Sequence, residues 1–232
     1  MQCVILAGGL GTRMRRWTED APKALIPVLG RPFAERQLEW LAAQGITDVV
    51  YSIGYRGDML RSVLGDGSSR GVRIQYVDEG GELRGTAGAL RLAVDQGVLD
   101  SAFFVLYGDS FLSVELAAVE RAFHDGGQSA LMTVFKNDGQ WDRGNVIFVD
   151  GRVVLYDKGA PPSIDLQFID YGLSVVSRSI ISASVATGAV ADLADIFHRL
   201  SLEGRLAGFQ VTDRFYEIGS EEGLRSLEAH LS

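Results

Sequence analysis

Three glycines stand within four positions directly after an apolar run at the start of the chain: Gly8, Gly9 and Gly11. Glycine tolerates positive φ angles and lets backbone N–H groups approach phosphate oxygens closely. Arg13 follows this turn, and Lys23 follows Pro22, whose ring fixes its own φ angle. Residues 1–36 carry six Lys/Arg and three Asp/Glu, although the whole chain has a formal net charge of −8. This concentration of positive charge on an acidic protein suggests a small anionic ligand.

The glycine turn matches neither of two common phosphate-binding fingerprints. The P-loop requires GxxxxGK[ST], and the dinucleotide-binding turn requires GxGxxG with an acid at the end of the next strand. Neither pattern is present at this turn, which argues against a dinucleotide-dependent oxidoreductase. A purely structural turn remains the alternative for the glycines alone, and simple solvation remains the alternative for Arg15 and Arg16.

The composition is that of a soluble globular protein, with 47% hydrophobic and 22% charged residues in a chain of 232. The apolar run at residues 2–7 is too short for a signal peptide, and no run approaches the roughly 20 residues of a membrane-spanning helix. Net negative charge argues against nucleic-acid binding, which needs a basic surface. Cys3 is the single cysteine, which excludes an internal disulfide. We therefore expect a cytoplasmic monomer or homodimer without nucleic-acid or membrane partners.

Hydrophobic periodicity predicts strands and helices that alternate along the first half of the chain. Strands are predicted at residues 2–7, 48–53, 72–77, 102–106, 130–135, 145–149, 152–156 and 173–176. Helices are predicted at residues 34–44, 57–64, 86–96, 114–124, 192–202 and 220–231, and Asp192 and Ser220 are expected to be the N-caps of the last two. The alternation indicates an α/β fold with a Rossmann-like, mixed but mainly parallel sheet flanked by helices. Asp150-Gly151 predicts a hairpin, and hence a small antiparallel addition within one domain that spans residues 1–232.

The glycine turn and the residues after it also resemble a known family signature. LAGGLGTRM (residues 6–14) and EDAPKALIPVLGRPF (residues 19–33) are similar to GGxGTRLxPLTxxxPKPLxPVxGKP of the sugar-1-phosphate nucleotidyltransferases. Arg16-Trp17 stands where that family often has Pro-Leu. Five later segments match in order: ELRGTAGAL (82–90), VLYGDSF (105–111), YDKG (156–159), DYGLSVV (170–176) and FYEIGSEEGL (215–224). The resemblance covers nearly the whole chain and implies the nucleotide-diphospho-sugar transferase fold.

The resemblance implies two binding halves and a role for each matched residue. The nucleotide-binding half, about residues 1–136, would use Leu6, Ala7, Gly8, Gly9, Gly11, Thr12, Arg13, Gly85 and Thr86. The sugar-binding half, about residues 137–232, would use Asp157, Lys158, Tyr171 and Gly172, together with Gly108 from the first half. Arg13, Lys23 and Asp109 would be catalytic, and Asp109 and Glu217 would hold Mg²⁺.

The implied reaction joins a nucleoside triphosphate and a sugar 1-phosphate and releases pyrophosphate. Both reactants are polyanions, so catalysis depends on positioning and charge neutralisation rather than on a protein nucleophile. Cationic side chains suit the phosphates, and carboxylates suit Mg²⁺. The positive charge behind the glycine turn is thereby explained. Among family members, short bacterial guanylyltransferases for heptose or mannose 1-phosphate are most similar. A uridylyltransferase of the N-acetylmuramate-1-phosphate type and a non-catalytic nucleotide-sugar-binding protein remain alternatives.

The acidic segment at residues 78–82 bears on the choice of base. Guanine presents N1–H and an amino group on one edge, and one carboxylate can accept both, whereas uracil presents one N–H between two carbonyls. The segment contains carboxylates and no glutamine. We therefore expect Glu79 or Glu82 to bind guanine and GTP to be preferred. An acidic surface loop with no role in recognition is the alternative.

Overall fold

The computed structural model of the chain describes residues 1–9, 21–137, 143–161 and 163–232. Within these ranges there are thirteen strands and seven α-helices, which are numbered here in chain order. The strands are β1 (Gln2–Leu6), β2 (Pro27–Val28), β3 (Arg31–Pro32), β4 (Asp48–Ile53), β5 (Arg73–Asp78), β6 (Ala102–Tyr107), β7 (Ser110–Phe111), β8 (Ala130–Lys136), β9 (Val146–Val149), β10 (Arg152–Tyr156), β11 (Phe168–Ser177), β12 (Ala207–Val211) and β13 (Tyr216–Glu217). The helices are α1 (Phe33–Ala43), α2 (Gly57–Leu64), α3 (Gly85–Asp95), α4 (Leu116–Gly126), α5 (Arg178–Ser184), α6 (Leu193–Leu202) and α7 (Glu221–Leu231).

Nine of the described strands form one sheet in the order β5-β4-β1-β6-β11-β8-β12-β10-β9. Strands β5, β4, β1 and β6 are parallel, and β12 is parallel to β8. Strand β11 runs antiparallel to both of its neighbours, and β10 runs antiparallel to β12 and β9. The predicted antiparallel addition therefore continues the main sheet as its far edge, and strands from both halves of the chain share that sheet.

Both faces of the sheet are covered by helices, so its central strands carry apolar residues on both sides. Alternation along β1 sends Cys3 and Ile5 into a core with α1, α2 and α4, and sends Val4 into a core with α3, α5 and α6. A third, smaller apolar cluster joins the segment before α1 to α7. This arrangement confirms the predicted α/β fold with a mixed sheet between helices.

Three local predictions are confirmed by backbone geometry. Asp150 and Gly151 both have positive φ, 47° and 76°, and connect the paired strands β9 and β10. Asp192 caps α6 by accepting a hydrogen bond from the N–H of Ala194 at 2.9 Å. Ser220 caps α7 by accepting one from the N–H of Gly223 at 3.0 Å. Each cap satisfies a backbone donor that has no partner inside its helix.

The second half of the chain departs from the sequence prediction more than the first. Strand β11 has ten residues, whereas the apolar pattern predicted only residues 173–176. Its first part contains Asp170 and Gly172, and its pairing with β8 shifts register between Asp170 and Ser174. Asp170 and Gly172 interrupt the alternation of apolar residues at this irregularity, so hydrophobic periodicity could not predict the first part of the strand. Strand β12 and the short helix α5 were not predicted at all.

Candidate active site

A cavity of about 400 Å³ opens at the carboxyl ends of the parallel strands β1 and β6. Ligands of open α/β sheets bind at this edge because the loops that follow the strands meet there. The cavity brings together ten of the residues singled out from the sequence: Leu6, Ala7, Gly8, Gly9, Lys23, Glu79, Gly85, Thr86, Gly108 and Asp109. They come from four separate stretches of the chain, so their meeting is a product of the fold.

Gly8 and Glu79 form one wall of the cavity and are in close contact. A Cβ atom on Gly8 would lie 2.1 Å from Glu79 Oε1, so no larger residue fits while the carboxylate stays in place. The Ser52 hydroxyl, at the end of β4, donates to the same oxygen at 3.0 Å. The first glycine of the turn therefore lets a buried carboxylate approach the backbone closely.

The Glu79 carboxylate is an unusual feature of this wall, since charged groups are rarely buried without a partner of opposite charge. Only 7% of the residue is exposed. Burial raises the pKa of Glu79 above its usual range, although the hydrogen bond from Ser52 acts in the opposite direction. Glu82, the other candidate for base recognition, is exposed and is not among the residues that line the cavity. Of the two, Glu79 is the residue that the structure places at the site.

The turn after β6 adjoins this wall. The N–H of Gly108 donates to the carbonyl of Leu6 at 2.9 Å, which ties this turn to the end of β1. A Cβ atom on Gly108 would lie 2.8 Å from the Cβ of Ala7. The glycine thus allows two strand ends to approach and leaves the side chain of Asp109 at the mouth between them.

Lys23 and Asp109 form an ion pair at this mouth, with Lys23 Nζ 2.6 Å from Asp109 Oδ2. Glu217 is close to both, because β13 pairs with β7 and sets Glu217 opposite Ser110. The position of a Cβ on Gly219 would be 2.8 Å from Glu217 Oε2 and 3.1 Å from Lys23 Nζ. Two carboxylates and an ammonium group therefore meet here, as a site for a cation and phosphates requires.

The two carboxylates fit a hard divalent ion only when the ion's other ligands come from elsewhere. Among the described residues, no three His, Cys, Asp or Glu side chains lie close enough to form a complete metal site. Mg²⁺ is commonly held by one or two carboxylates, with substrate phosphates and water supplying its remaining ligands. Asp109 and Glu217 match that pattern, and the Lys23 ammonium shows that this mouth accommodates positive charge.

The start of α3 is held by a segment that the sequence did not single out, residues 189–191. The carbonyl of Ala191 accepts hydrogen bonds from the N–H groups of Ala87 and Gly88, and a Cβ on Gly85 would lie 2.4 Å from that oxygen. These bonds satisfy donors at a helix N-terminus that would otherwise be free. The glycines of this GTAG element therefore accommodate a neighbouring backbone.

Thr86 also makes protein contacts besides lining the cavity. Its hydroxyl donates to Asp192 Oδ1 at 2.8 Å and accepts from the N–H of Leu193 at 2.7 Å. Asp192 is the N-cap of α6, so one hydroxyl connects the starts of two helices. Because these two bonds already use the hydroxyl proton and an acceptor position of Thr86, its role in holding α6 is the one visible in the structure.

The loop after β10, residues 157–161, is here called the lysine loop. Asp157 Oδ1 accepts from the N–H of Gly159 at 2.7 Å, and the guanidinium of Arg143 donates to the carbonyl of Ala160. Lys158 is exposed and lies near the carboxyl of Asp170. Burial raises the pKa of Asp170, and the hydrogen bond from the Gly172 N–H and the Lys158 ammonium group oppose that shift only in part. The loop is thus closed by its own hydrogen bonds but is largely open to solvent.

Tyr171, which was predicted to bind the sugar, has its side chain in the core. Its ring is 1% exposed, packs in the core against Phe135 and Phe215, and its hydroxyl accepts from the N–H of Ser113 at 3.0 Å. Successive side chains of a strand point to opposite faces, so the preceding Asp170 points to the other face, where the Tyr156 hydroxyl donates to its Oδ2 at 3.4 Å. Gly172 has a φ of 99°, which disfavours any residue with a side chain.

Three of the predicted nucleotide-binding residues, Gly11, Thr12 and Arg13, lie outside the described residues, as do Arg15 and Arg16. Their assignments remain predictions.

Comparisons with known proteins agree with this geometry. A family model described as nucleotidyl transferase matches residues 2–145, which is more than half of the chain. The D-glycero-alpha-D-manno-heptose 1-phosphate guanylyltransferase of Aneurinibacillus thermoaerophilus is 27% identical over 234 residues, covering 100% of this chain and 98% of that protein. The low-salt glycan biosynthesis nucleotidyltransferase Agl11 of Haloferax volcanii is 33% identical over 186 residues, 79% of this chain and 51% of that protein.

Mannose-1-phosphate guanyltransferase of Aspergillus oryzae is 28% identical over 230 residues, 97% of this chain and 63% of that protein. The D-glycero-alpha-D-manno-heptose 1-phosphate guanylyltransferase of Campylobacter jejuni is 31% identical over 150 residues, 65% of this chain and 64% of that protein. The chain thus spans less than two thirds of the Aspergillus protein and about half of Agl11. Among solved structures, HddC from Yersinia pseudotuberculosis complexed with GMP-PN has a TM-score of 0.79. It is 23% identical, and the match covers 100% of this chain and 99% of that chain. This similarity shows a shared fold.

None of the helices in the described part of the chain is both long and apolar enough to cross a membrane. The sheet order, the cavity at the ends of β1 and β6 and the family match lead to one assignment. The chain has the nucleotide-diphospho-sugar transferase fold and belongs to the nucleotidyl transferase family.

Proposed function

We propose that this chain transfers a guanylyl group from GTP to a sugar 1-phosphate of the heptose or mannose type, with Mg²⁺ as cofactor. The observation that carries the proposal is the meeting of Lys23, Asp109 and Glu217 at the mouth of the cavity. Relatives of similar length and organisation are named guanylyltransferases for such sugars, which supports the choice of substrates.

In the proposed reaction, an oxygen of the sugar phosphate attacks the α-phosphorus of GTP. A new P–O bond forms while the bond between the α-phosphorus and the bridging oxygen breaks, and pyrophosphate leaves. No protein nucleophile is needed, so the protein aligns two anions and neutralises their charge. Lys23 would bind phosphate oxygens at the mouth, and Lys158 on the lysine loop would bind the sugar phosphate.

Asp109 and Glu217 would hold Mg²⁺, which when bound supplies positive charge to the phosphate oxygens. Asp109 already holds a cation, since it pairs with the Lys23 ammonium. The same carboxylates would then position Lys23 and the metal on one side of the phosphates. These roles explain why one ammonium group and two carboxylates lie together at the mouth of the cavity.

Glu79 is the proposed guanine-binding residue. Its two carboxylate oxygens can accept from the N1–H and the amino group of guanine together, and uracil cannot offer that pair. Ser52 donates to one of these oxygens, and the Arg84 N–H is 3.5 Å from the other, so the carboxylate is fixed in orientation before a base binds. Preorganised acceptors favour the matching base because little ordering remains to be done on binding.

The proposal is tested by measuring pyrophosphate release with each nucleoside triphosphate and a panel of sugar 1-phosphates. We expect GTP with a heptose or mannose 1-phosphate to give the highest kcat/KM, and activity to require a divalent metal. Dominant use of UTP with N-acetylmuramate 1-phosphate would favour the uridylyltransferase alternative. Binding of nucleotide sugars without turnover of any pair would favour a non-catalytic binding protein.

A further inference from the structure

Gln37 is a polar residue in the middle of the buried face of α1. Its neighbours on that face, Ala34, Leu38 and Leu41, are apolar and fully buried, and Gln37 is also 0% exposed. An amide at such a position loses its contact with water and must find protein partners. The partners of this amide lie in the cavity wall.

The Gln37 side-chain nitrogen donates to two backbone carbonyls, those of Tyr107 and Ser110, each at 2.9 Å. Tyr107 ends β6 and Ser110 begins β7, so the two bonds lie on either side of Gly108-Asp109. An amide nitrogen has two hydrogens, and both are used here. A single side chain therefore closes the turn that presents Asp109.

Two further bonds hold this turn, and both are between backbone atoms. The Gly108 N–H donates to Leu6, and the Ile218 N–H donates to the Asp109 carbonyl at 3.0 Å. The first fixes the turn to β1 and the second fixes it beside Glu217. The two bonds from Gln37 differ from these because a side chain donates them. They hold the carbonyls of Tyr107 and Ser110, the residues on either side of Gly108-Asp109.

The side-chain oxygen of Gln37 indicates that the two bonds from its nitrogen are the reason for a glutamine at this position. Gln37 Oε1 is buried and has no hydrogen-bond partner among the described residues. Exchanging the two amide atoms would set this oxygen against two carbonyl oxygens, so the orientation is fixed by chemistry. An apolar side chain would fill the same volume without an unsatisfied oxygen, and would remove the side-chain donor from both carbonyls.

We propose that Gln37 is a positioning residue for the metal site, which acts by fixing the backbone that carries Asp109. The proposal deepens the proposed function and rests on its assignment of Asp109 and Glu217 to Mg²⁺. Residues that hold metal ligands in place typically contribute about 10- to 100-fold to metal affinity or activity. Gln37 reaches the ligand through its backbone, so the loss of its two donors should loosen the ligand without removing it.

The test compares Gln37→Met with Leu41→Met. Methionine matches glutamine in length and has no donor, and Leu41 is a buried residue one turn further along the same helix face. Mn²⁺ binding is measured by electron paramagnetic resonance in the presence of GTP and without sugar phosphate. Activity against Mg²⁺ concentration and thermal unfolding are measured on the same variants. Gln37→Glu, which keeps size and polarity with at most one donor, carries the test if the methionine variant does not fold.

We expect Gln37→Met to weaken Mn²⁺ binding by about 10-fold and to raise the Mg²⁺ concentration for half-maximal activity to a similar extent. The KM for sugar 1-phosphate at saturating Mg²⁺ should stay unchanged, and Leu41→Met should bind Mn²⁺ like the wild type. A folded Gln37 variant with wild-type Mn²⁺ affinity would overturn this inference alone. A wild-type protein that binds no Mn²⁺ with GTP would instead overturn the proposed metal site.

Discussion

The wall formed by Gly8, Glu79 and Gly108, here called the glycine wall, is closely packed, whereas the lysine loop is exposed. At Gly8 and Gly108 a single added carbon would lie within 3 Å of another group. On the lysine loop, Lys158 and Gly159 are exposed and the loop is closed by a few local hydrogen bonds. One side of the site is therefore built before any ligand arrives, and the other presents a cation to solvent.

This difference predicts different consequences of substitution. Interiors are packed as densely as organic crystals, so a change of one carbon in the glycine wall must displace a neighbour. A change on the lysine loop removes an interaction with ligand and leaves the fold intact. Substitutions in the wall should therefore affect binding and stability together, while substitutions on the loop should affect one kinetic constant.

Asp109→Asn should produce the largest loss. The substitution keeps the shape of the side chain and removes the charge that pairs with Lys23 and would hold Mg²⁺. We expect turnover to fall by at least about 100-fold, beyond the usual effect of residues that only support a metal ligand. Steady-state kinetics at saturating substrates would measure it, with the exposed Asp125→Asn as the control. Full activity of Asp109→Asn, or of the wild type in excess chelator, would contradict the metal assignment.

Gly8→Ala should damage the glycine wall itself. The new methyl group would lie 2.1 Å from Glu79 Oε1, so the carboxylate must move. Overpacking of this kind typically costs about 1–3 kcal/mol in the free energy of unfolding. Denaturant unfolding measures the loss, and GTP affinity should fall with it. Gly81→Ala, at a position with no described atom within 4 Å of the new carbon, should have little effect on either quantity.

A double-mutant cycle identifies the cause of the Gly8→Ala effect. In a Glu79→Ala background the colliding carboxylate is absent, so Gly8→Ala should cost close to nothing. Residues in direct contact show such coupling, whereas distant residues are additive. Equal destabilisation in both backgrounds would show that the contact between Gly8 and Glu79 does not explain why glycine is required.

Glu79→Gln should reduce the preference for GTP over UTP. The amide offers one acceptor where the carboxylate offers two, so the paired contact with guanine is lost. By analogy with bidentate base contacts, the loss in selectivity should be on the order of 1–3 kcal/mol. Competition assays with equal GTP and UTP measure it, and Glu82→Gln is the matched control. An unchanged ratio in Glu79→Gln would remove Glu79 from base recognition.

The pH dependence of the same residue gives an independent reading. Burial raises the folded-state pKa of Glu79, so the folded protein binds this proton more tightly than the unfolded chain does. Its contribution to folding therefore becomes more favourable as the pH falls from neutral through the raised pKa. Over the same range, protonation removes an acceptor and the KM for GTP should rise. Glu79→Gln should abolish both trends, and it should be no less stable than the wild type at neutral pH.

Lys158→Ala should produce the smallest effect and one confined to the sugar substrate. We expect the KM for sugar 1-phosphate to rise roughly 10-fold, since a hydrogen bond to a charged group contributes about 1.5–3 kcal/mol and an exposed one the lower end. The values of kcat and of the KM for GTP should stay within about twofold. Arg152→Ala, at an exposed position on β10, is the control. A fall in kcat without a change in this KM would place Lys158 elsewhere in the reaction.

Several elements and turns could be predicted from the sequence because their requirements are local. The bounds predicted for β4, α2 and β10 agree with the structure, as do the turn at Asp150-Gly151 and the N-caps at Asp192 and Ser220. In these places short-range chemistry decides the conformation. Glycines directly after a strand likewise indicate that another part of the chain packs closely against the backbone there, although they do not identify that part.

The remaining features depend on contacts between distant parts of the chain. Periodicity could not show that Tyr171 lies in the core and Asp170 on the other face of β11, since that depends on the register of the strand. Nothing in the sequence favoured Glu79 over Glu82 for binding the base. Glu79 directly follows β5 and is buried, whereas Glu82 lies three residues further on and is exposed. The capping carbonyl of Ala191 and the amide of Gln37 carried no signal, because each acts on residues about 70 or more positions away.

We propose that the glycine wall binds guanine and that the Lys23–Asp109–Glu217 mouth binds the phosphates and metal. A crystal structure of the chain with a non-hydrolysable GTP analogue and Mn²⁺ tests this proposal most directly. We expect an anomalous Mn²⁺ peak at Asp109 and Glu217, and guanine within hydrogen-bond distance of the Glu79 carboxylate. Mn²⁺ bound by other residues, or a base whose edge makes no contact with Glu79, would contradict it.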